Sequence, residues 1–333
     1  MMKNGLRRFA SILLFAGLAA QLAAAQSAPT PSAQPAPAAH YRAFDPQGRA
    51  VTLDEIVASL ERADVLFLGE THDNTIAHML EAELLRRADE RHGAAPGRGR
   101  AVALSLEMFE TDVQTVLDEY LAGLITERHF MLSSRPWRNY EKDYRPLVEY
   151  AKARRLAVVA ANAPARYVSR VSGQGPDSLR ALSKEAAKNW LPPLPFPQAS
   201  AGYAAKFNRF MTGDASAAPR PATPATTPAT AAPTQASAHG SLHLLEAQTL
   251  RDASMAYRIS EQLRRGRDPL VVHVNGTFHS EERMGVPELL ARYRPKARSI
   301  VVTIVPDEGF PAFDAARMGR LGDFVIITDP RVK

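Results

Sequence analysis

Six apolar runs of strand length recur along the chain, and segments with helical patterns separate most of them. The runs cover residues 64–69, 101–107, 157–162, 269–275, 299–305 and 324–328. Strands that are joined through helices pair in parallel, because a parallel neighbour is reached by a crossover connection. The alternation therefore predicts an α/β fold with a mainly parallel central sheet flanked by helices.

Three segments carry clear helical patterns. Residues 75–91 place Ile76, Leu80 and Leu84 on one face of a helix. At the start of the helical pattern over 112–123, Thr111 and Gln114 have the spacing of a capping box. Residues 244–263 read as one long amphipathic helix. Because the stretch from about 165 to 265 contains no clear strand, we predict a smaller inserted helical subdomain there.

The N-terminus has the pattern of a secretory signal peptide over residues 1–25. A basic start is followed by an apolar stretch over 9–22 and by three alanines before Gln26. The apolar stretch, at roughly 14 residues, is short for a membrane span, although an uncleaved anchor is the alternative. We expect an Ala/Pro-rich tether at 26–44, the α/β domain at 45–333, and no stable membrane span in the mature chain.

Composition narrows the classes of partner. The chain has no cysteine, which excludes disulfides, thiolate metal sites, a cysteine nucleophile and a lipid anchor on cysteine. The formal charge is +6, and removing the three cations Lys3, Arg7 and Arg8 leaves about +3, which does not favour a nucleic-acid partner. We therefore expect an exported, periplasmic protein that binds no nucleic acid.

A second biased segment interrupts the helical part of the chain. Residues 214–240 are rich in Pro, Ala and Thr and contain almost no large apolar residue. Such a composition cannot bury a core, so it predicts a disordered loop. A long surface loop costs little additional closure entropy, which makes a loop expansion the simplest interpretation.

Polar residues follow four of the predicted strands at the point where each strand ends. Gly69-Glu70-Thr71-His72 ends the first strand, Glu107 the second, Asn162 the third, and Asn275-Gly276-Thr277-Phe278-His279 the fourth. Ligands of open parallel sheets bind outside the carboxyl ends of the strands. The residues therefore predict a site at this rim of the sheet, with Asp73, Asn162 and His273 in supporting positions.

The residue types in these strand ends suit metal or acid–base chemistry. Gly69 and Gly276 allow a sharp turn or a close approach of the backbone, and His72, just before a helix, is expected to be neutral. We predict Glu70, His72, Glu107 and His279 as ligands for Zn, Mn, Co or Fe. Glu70 or Glu107, where it is not a ligand, would be the general base on a metal-bound water.

Structural explanations compete for each of these residues. Glu70 could cap the following helix, and Glu107 could form an ion pair with Arg138 or Arg166. His279 could cap a loop, and His273, within its strand, could be a core histidine. The two Gly-x-x-His units together favour a functional site more strongly than either unit does alone.

The chain resembles the ChaN-like haem-binding uptake proteins of the superfamily that also includes the Tiki proteases and erythromycin esterases. The matching segments occur in the family's order and cover most of residues 45–305. They are LFLGETHDN (66–74), LSLEMFE (104–110), WRNYEKDYRPLVEYAKARRLAVVAANAP (137–164), EAQTLRDASMAYRI (246–259) and VVHVNGTFHSE (271–281). Members of the family are often lipoproteins, and this chain departs from them by lacking the cysteine.

The resemblance implies haem binding, a role in haem and iron acquisition, and a dimer contact near the smaller domain. It also implies a tyrosine as the iron ligand without selecting one of four candidates, Tyr140, Tyr144, Tyr167 and Tyr203. Aromatic residues could add contact area for haem, although such residues are more often ordinary core. These are Phe130, Trp137, Trp190, Phe196, Phe207 and Phe210.

Three functions are consistent with the sequence. The first is an exported haem-binding protein, and the second is a metal-dependent ester or peptide hydrolase that uses the rim residues. In Tiki-type relatives the Gly-x-x-His elements and a glutamate are associated with such a hydrolytic site. The third is a non-catalytic protein with a relic site. The Gly-x-Ser-x-Gly motif of serine hydrolases is absent from the chain.

Overall fold

The computed structural model describes residues 35–93, 99–213, 243–266 and 268–332, and these residues contain one eight-stranded sheet. The strand order is β2-β1-β8-β7-β3-β6-β4-β5, and the pairs from β8 to β5 are parallel. The strands are β1 (Tyr41–Phe44), β2 (Ala50–Val51), β3 (Val65–Glu70), β4 (Ala101–Glu110), β5 (Ala157–Asn162), β6 (Pro269–Gly276), β7 (Ser299–Pro306) and β8 (Phe324–Thr328). The predicted fold class, a mainly parallel sheet flanked by helices, is confirmed.

The two strands at one edge of the sheet were not predicted. β1 pairs antiparallel with β8 and with β2. β1 lies within the stretch that the sequence assigned to the tether. Its four residues are half-buried, exposed, buried and half-buried in turn, and the strand is too short to show a period. Pairing with β8, rather than apolar content, accounts for its strand conformation.

Helices cover both faces of the sheet. On one face lie α1 to α5, and on the other lie α6, α7, α9 and α10. The helices are α1 (Leu53–Ala58), α2 (Thr75–His92), α3 (Gln114–Leu121), α4 (Glu127–Ser134), α5 (Arg145–Arg154), α6 (Ala165–Gln174), α7 (Lys184–Trp190), α8 (Ala201–Thr212), α9 (Leu244–Gln262), α10 (Val286–Tyr293) and α11 (Ala315–Met318).

The central strand β3 shows why both faces need helices. All six of its residues are buried. Leu66 and Leu68 point into the core under α1 to α5, whereas Val65 and Phe67 point into the core under α6, α7, α9 and α10. A strand that is apolar on both sides is typical of a parallel sheet with two covered faces.

Within its described residues, the stretch from 165 to 265 contains α6 to α9 and no strand. Ala247, Leu250 and Ala256 of α9 share a buried cluster with Val159 of β5 and Val271 of β6. This stretch therefore packs on the sheet through a common core. Its helices form one layer of the α/β sandwich where they meet the strands.

The predicted capping box at Thr111 is not formed. The Thr111 hydroxyl donates to the Trp190 carbonyl at 2.7 Å, and α3 begins only at Gln114. The Gln114 amide donates to the Val158 carbonyl and accepts from the Ala160 N–H, both at 2.8 Å. Gln114 therefore satisfies the backbone of the edge strand β5 instead of capping its own helix.

Several predictions lie outside the described residues. These are the signal peptide 1–25, the tether from 26 to 34 and the Pro/Ala/Thr-rich loop 214–240. Within the described part of the chain, no helix has the length and apolar character needed to cross a bilayer.

Candidate functional site

The two Gly-x-x-His units lie side by side at the carboxyl rim of the sheet. β3 and β6 are parallel neighbours, and their register pairs Gly69 with Asn275 and Glu70 with Gly276. β4 follows on the other side of β6 and brings Glu107 to the same rim. The strand ends therefore converge as the sequence predicted.

Gly276 lies where the two units meet. Its N–H donates to Glu107 Oε2 at 2.7 Å. A Cβ at this position would lie 2.9 Å from Cε1 of His72 and 3.7 Å from Glu107 Oε2. The φ of Gly276 is −59°, which any residue adopts, so the site needs glycine here for space. Gly69 is restricted in the same way, because a Cβ there would lie 2.8 Å from the Ser280 hydroxyl.

Glu70 holds His72 at the accessible side of the site. Glu70 Oε1 pairs with His72 Nδ1 at 2.5 Å and accepts from the Tyr144 hydroxyl at 2.9 Å. The His72 side chain is 41% exposed, and its ring packs edge-on against Trp137. The carboxylate of Glu70 is buried, and its Oε2 has no hydrogen-bond partner.

The charge of His72 differs from the expectation. Burial by itself lowers the pKa of His72, but the negative charges of Glu70 and Glu107 outweigh it and raise the pKa to about 9. His72 is therefore an imidazolium at neutral pH, and the prediction of a neutral ring is wrong. The position before α2 favours the neutral form, but a carboxylate in direct contact has the larger effect.

A second buried network surrounds His279. Its Nε2 lies 3.2 Å from Glu107 Oε1, and its Nδ1 is hydrogen-bonded to Asp252 of α9, which also accepts from the Tyr203 hydroxyl. Burial lowers the pKa of His279, yet Glu107 and Asp252 raise it to about 10. Burial raises the pKa of Glu107, but His279 and His72 hold that pKa well below its usual range.

Sequence reasoning missed Asp252. The signal was available, because Asp252 occupies the apolar face of α9 beside Ala253, Ala256 and Leu250, where a carboxylate is buried only with a partner. Its partners are His279 and Tyr203.

Sequence reasoning also missed a third group behind Glu70. His78 and Glu81, one turn apart on α2, are buried with Glu70, and one ligand atom from each of the three lies within 4.8 Å of the others. Glu70 is the only residue that this group shares with the predicted ligand set. The signal was the pair of titratable residues, three positions apart, among the apolar residues Ala77, Leu80 and Leu84 of α2.

The residues predicted in supporting positions differ in burial and in their partners. His273 is fully buried, and its Nδ1 lies 2.9 Å from the Ser105 hydroxyl. Burial lowers its pKa to about 3, so His273 is a neutral core histidine. Asn162 accepts from Arg251 at 3.4 Å, and Asp73 is exposed at the turn before α2.

The structural alternatives for the two glutamates are not observed. Asn74 caps α2, since its side chain accepts from the Ala77 N–H. Glu107 pairs with His279, whereas Arg166 pairs with Asp112.

The four candidate tyrosines are all buried. Tyr140 packs among Phe109 and Phe130, with no partner for its hydroxyl. Tyr167 stacks on Trp190, and the hydroxyls of Tyr144 and Tyr203 are bound by Glu70 and Asp252. Burial raises the pKa of Tyr140, Tyr144 and Tyr203, so each is a phenol at neutral pH.

An apolar cleft of about 680 Å³ borders the rim between α6, α8 and α9. Phe278, the residue before His279, lines it, and Gln248 lines it while lying 3.2 Å from His279 Nε2. Of the aromatic residues named from the sequence, Phe207 and Phe210 line this cleft, whereas Phe130 is core. Its other lining residues include Val168, Ser169, Met211, Leu244, Ala247 and Arg251.

A family model matches most of the chain. The family model described as "Haem-binding uptake, Tiki superfamily, ChaN" matches residues 56–290. Among curated proteins, the chloroplast protein RETICULATA-RELATED 5 of Arabidopsis thaliana is 25% identical over 264 residues. That alignment covers 75% of this chain and 32% of the relative, so the chain spans about a third of the relative's length.

Two solved structures were compared with the fold. A structure described as cofacial heme binding to ChaN of Campylobacter jejuni has a TM-score of 0.59 at 14% identity, covering 87% of this chain and 97% of the other. A mutant of the erythromycin esterase EreC in its open conformation has a TM-score of 0.45 at 11% identity, covering 88% and 99%. The first similarity supports the α/β fold.

Proposed function

The chain belongs to the ChaN family of haem-binding uptake proteins in the Tiki superfamily, and we propose that it binds haem in the apolar cleft beside the rim. The observation that carries this proposal is the lining of the cleft. Phe207, Phe210, Met211 and Phe278 present apolar and aromatic surface around a space of about 680 Å³, which is within the usual range of roughly 300–1,000 Å³ for small-molecule sites.

The cleft residues suit the two chemical parts of haem. The porphyrin body is flat and apolar, and aromatic side chains bury such surfaces well. The propionates are anionic, and Arg251 and Gln248 supply donors at the border of the cleft. Bound haem would supply the iron that an uptake protein carries.

The iron ligand that we propose from the four candidates is Tyr203. Its ring packs on Phe278, with centroids 5.6 Å apart, and Phe278 lines the cleft. Its hydroxyl donates to Asp252. Burial raises the pKa of this phenol, and a bound iron ion would lower it. We expect Tyr203→Phe to weaken haem binding and to remove the tyrosinate signature from the spectrum. Tyr140→Phe is the matched control, because Tyr140 lies in the core under the opposite face of the sheet.

The decisive experiment is a haem titration with a variant that fills the cleft. Ser169 lines the cleft and is exposed, so Ser169→Trp adds bulk there with little cost to folding. We expect a saturable Soret shift with the unaltered protein and at least tenfold weaker binding in Ser169→Trp. Ser133→Trp, an equally exposed position on α4, should bind as the unaltered protein does. Equal binding in all three proteins would refute the cleft as the site.

Export to the periplasm and a role in haem and iron acquisition complete this proposal. They are supported by the signal-peptide pattern at residues 1–25 and by family membership. Fractionation of cells that express the full chain tests export. Recovery of the uncleaved protein in the cytoplasmic fraction would contradict it.

The resemblance also suggests a homodimer, and we propose that haem links the two copies. Sedimentation velocity with and without haem tests this assembly. A monomer under both conditions would refute it.

A metal-dependent hydrolase is the second candidate. It is favoured by the accessible His72, whose Nδ1 is held by the buried Glu70 while its ring faces Gly276 and Glu107. His72 would then donate a proton or bind the substrate. The depressed pKa of Glu107 makes it a weak general base. Hydrolysis of a chromogenic ester that is unchanged in His72→Asn would exclude this role.

A further inference from the structure

A buried polar pocket adjoins Glu70 and the backbone carbonyl of His72. It is formed by the end of β3 and by two α2 side chains spaced three residues apart, His78 and Glu81. The exposed fractions of Glu70, His78 and Glu81 are 1%, 3% and 0%. Two carboxylates and an imidazole are therefore kept from water at one point in the core.

Two oxygens in this pocket have no hydrogen-bond partner. They are Glu70 Oε2 and Glu81 Oε1, and both are buried. A buried carboxylate oxygen without a partner costs free energy of about 1–3 kcal/mol or more. A metal ion or a proton between them would satisfy both oxygens.

The orientation of His78 matches a ligand role. Its Nε2 lies 3.2 Å from the His72 carbonyl oxygen, an acceptor, so Nε2 carries a proton and donates it there. Burial lowers the pKa of His78, but Glu81, Glu70 and Asp143 raise it to about 10, so Nδ1 also carries a proton and donates it to Glu81 Oε2 at 3.2 Å. A metal ion would take the place of this Nδ1 proton. Asn139 donates to the same carbonyl at 2.9 Å and helps to fix its position. Metal-binding histidines are usually oriented in this way through their second nitrogen.

We propose that Glu70, His78 and Glu81 bind one divalent first-row transition-metal ion inside the protein. One ligand atom from each lies within 4.8 Å of the others, so small side-chain movements bring them into coordination distance. The set of one nitrogen and two carboxylates suits Zn²⁺, Mn²⁺ or Fe²⁺, and the two negative charges balance the ion. The site is distinct from the predicted set, shares only Glu70 with it, and depends on neither haem binding nor hydrolysis.

A proton is the competing occupant. Burial raises the pKa of Glu81 to about 7, and a protonated Glu81 would satisfy the same oxygens without a metal. The experiment must therefore distinguish binding of a metal ion from protonation of Glu81. It must also distinguish a metal ion in this pocket from one at the rim of the sheet.

The test uses the purified protein after removal of metals with a chelator, titrated with Zn²⁺ at pH 7.5. We expect one equivalent to bind, and at least tenfold weaker binding in Glu81→Gln, which keeps the shape and removes the charge. Glu107→Gln is the matched control, since Glu107 is buried in the rim network but does not belong to the group. It should bind Zn²⁺ as the unaltered protein does.

X-ray absorption of the zinc-loaded, unaltered protein is a second measurement that does not depend on a variant folding. One imidazole in the zinc shell is the expected result, because the group contains His78 alone. Two imidazoles would place the ion between His72 and His279, and this would overturn the proposal. The absence of Zn²⁺ binding, or equal binding by Glu81→Gln, would also overturn it and leave the shared proton as the explanation.

Discussion

The backbone N–H of Gly276 donates to Oε2 of Glu107 at 2.7 Å and joins the ends of two neighbouring strands. The same carboxylate contacts His279 through its other oxygen. Glu107 is therefore held by the main chain on one side and by an imidazolium on the other. This explains how a fully buried glutamate remains charged.

Gly276→Ala should disturb the site through steric overlap alone. The added Cβ would lie 2.9 Å from His72 Cε1 and 3.0 Å from Nε2, whereas the backbone conformation suits alanine. We expect a loss of about 1–3 kcal/mol in the free energy of unfolding. The displaced ring should also pair less well with Glu70, so its pKa should fall from about 9. Chemical denaturation and histidine NMR titration measure both effects.

Gly173→Ala is the matched control for that variant. Gly173 lies on α6, and no atom lies within 4 Å of a Cβ built there. Alanine is the better helix former by about 1 kcal/mol. We expect equal or higher stability, and a comparable loss in both variants would argue against the steric explanation.

His279→Gln should change how stability depends on pH. The pKa of His279 is raised from 6.5 to about 10, so its stabilising charge is fully present below pH 6.5 and is lost as pH rises towards 10. At pH 6 we expect the variant to be less stable by about 3 kcal/mol or more, because it leaves buried carboxylates unpaired. The difference in the free energy of unfolding between the variant and the unaltered protein should be smaller at pH 10. Urea unfolding at pH 6, 8 and 10 measures it, and parallel profiles would contradict the ion-pair interpretation.

His273 should have the opposite effect on how stability depends on pH. Burial lowers its pKa to about 3, so the unfolded chain takes up a proton below pH 6.5 that the folded chain refuses. His273 therefore costs stability as pH falls from 6.5 to 3. We expect its imidazole signals to remain those of a neutral ring from pH 8 to pH 5. A midpoint near 6.5 would show that the ring reaches solvent.

Gln114→Ala should expose the edge of the sheet. The Gln114 side chain occupies one donor and one acceptor of β5 that no neighbouring strand uses. We expect the free energy of unfolding to fall by about 1 kcal/mol. We also expect increased self-association, because an unpaired strand edge can pair with a strand of another molecule. Denaturation and light scattering measure these effects. Gln174→Ala, at an exposed position of α6, should change neither.

The fold was predictable because its main signal is local. The run at 157–162 matches β5, and the run at 324–328 matches β8. Strands buried on both faces appear in sequence as short apolar runs, which need no knowledge of tertiary contacts. β1 was not predictable in this way, since Tyr41 and Arg42 are in a strand only because β8 offers them an open edge.

The site was partly predictable for a related reason. Glu70 and Glu107 reach the rim because the end of a parallel strand determines where its last side chains lie. Asp252 and His78 lie on helices, and their direction depends on how those helices pack against the sheet. The charge of His72 depends on a 2.5 Å contact with Glu70, and the order of residues along the chain does not reveal such a contact.

The register that pairs Glu70 with Gly276 has a consequence for how such a protein can change over time. The spacing between the two halves of the site is set by one inter-strand hydrogen-bond ladder, not by the long stretch of chain between them. Loops in that stretch can gain or lose residues without moving Glu70 relative to Gly276. The rim and the helices that line the cleft can therefore diverge separately, so new binding preferences can arise while the polar strand ends stay in place.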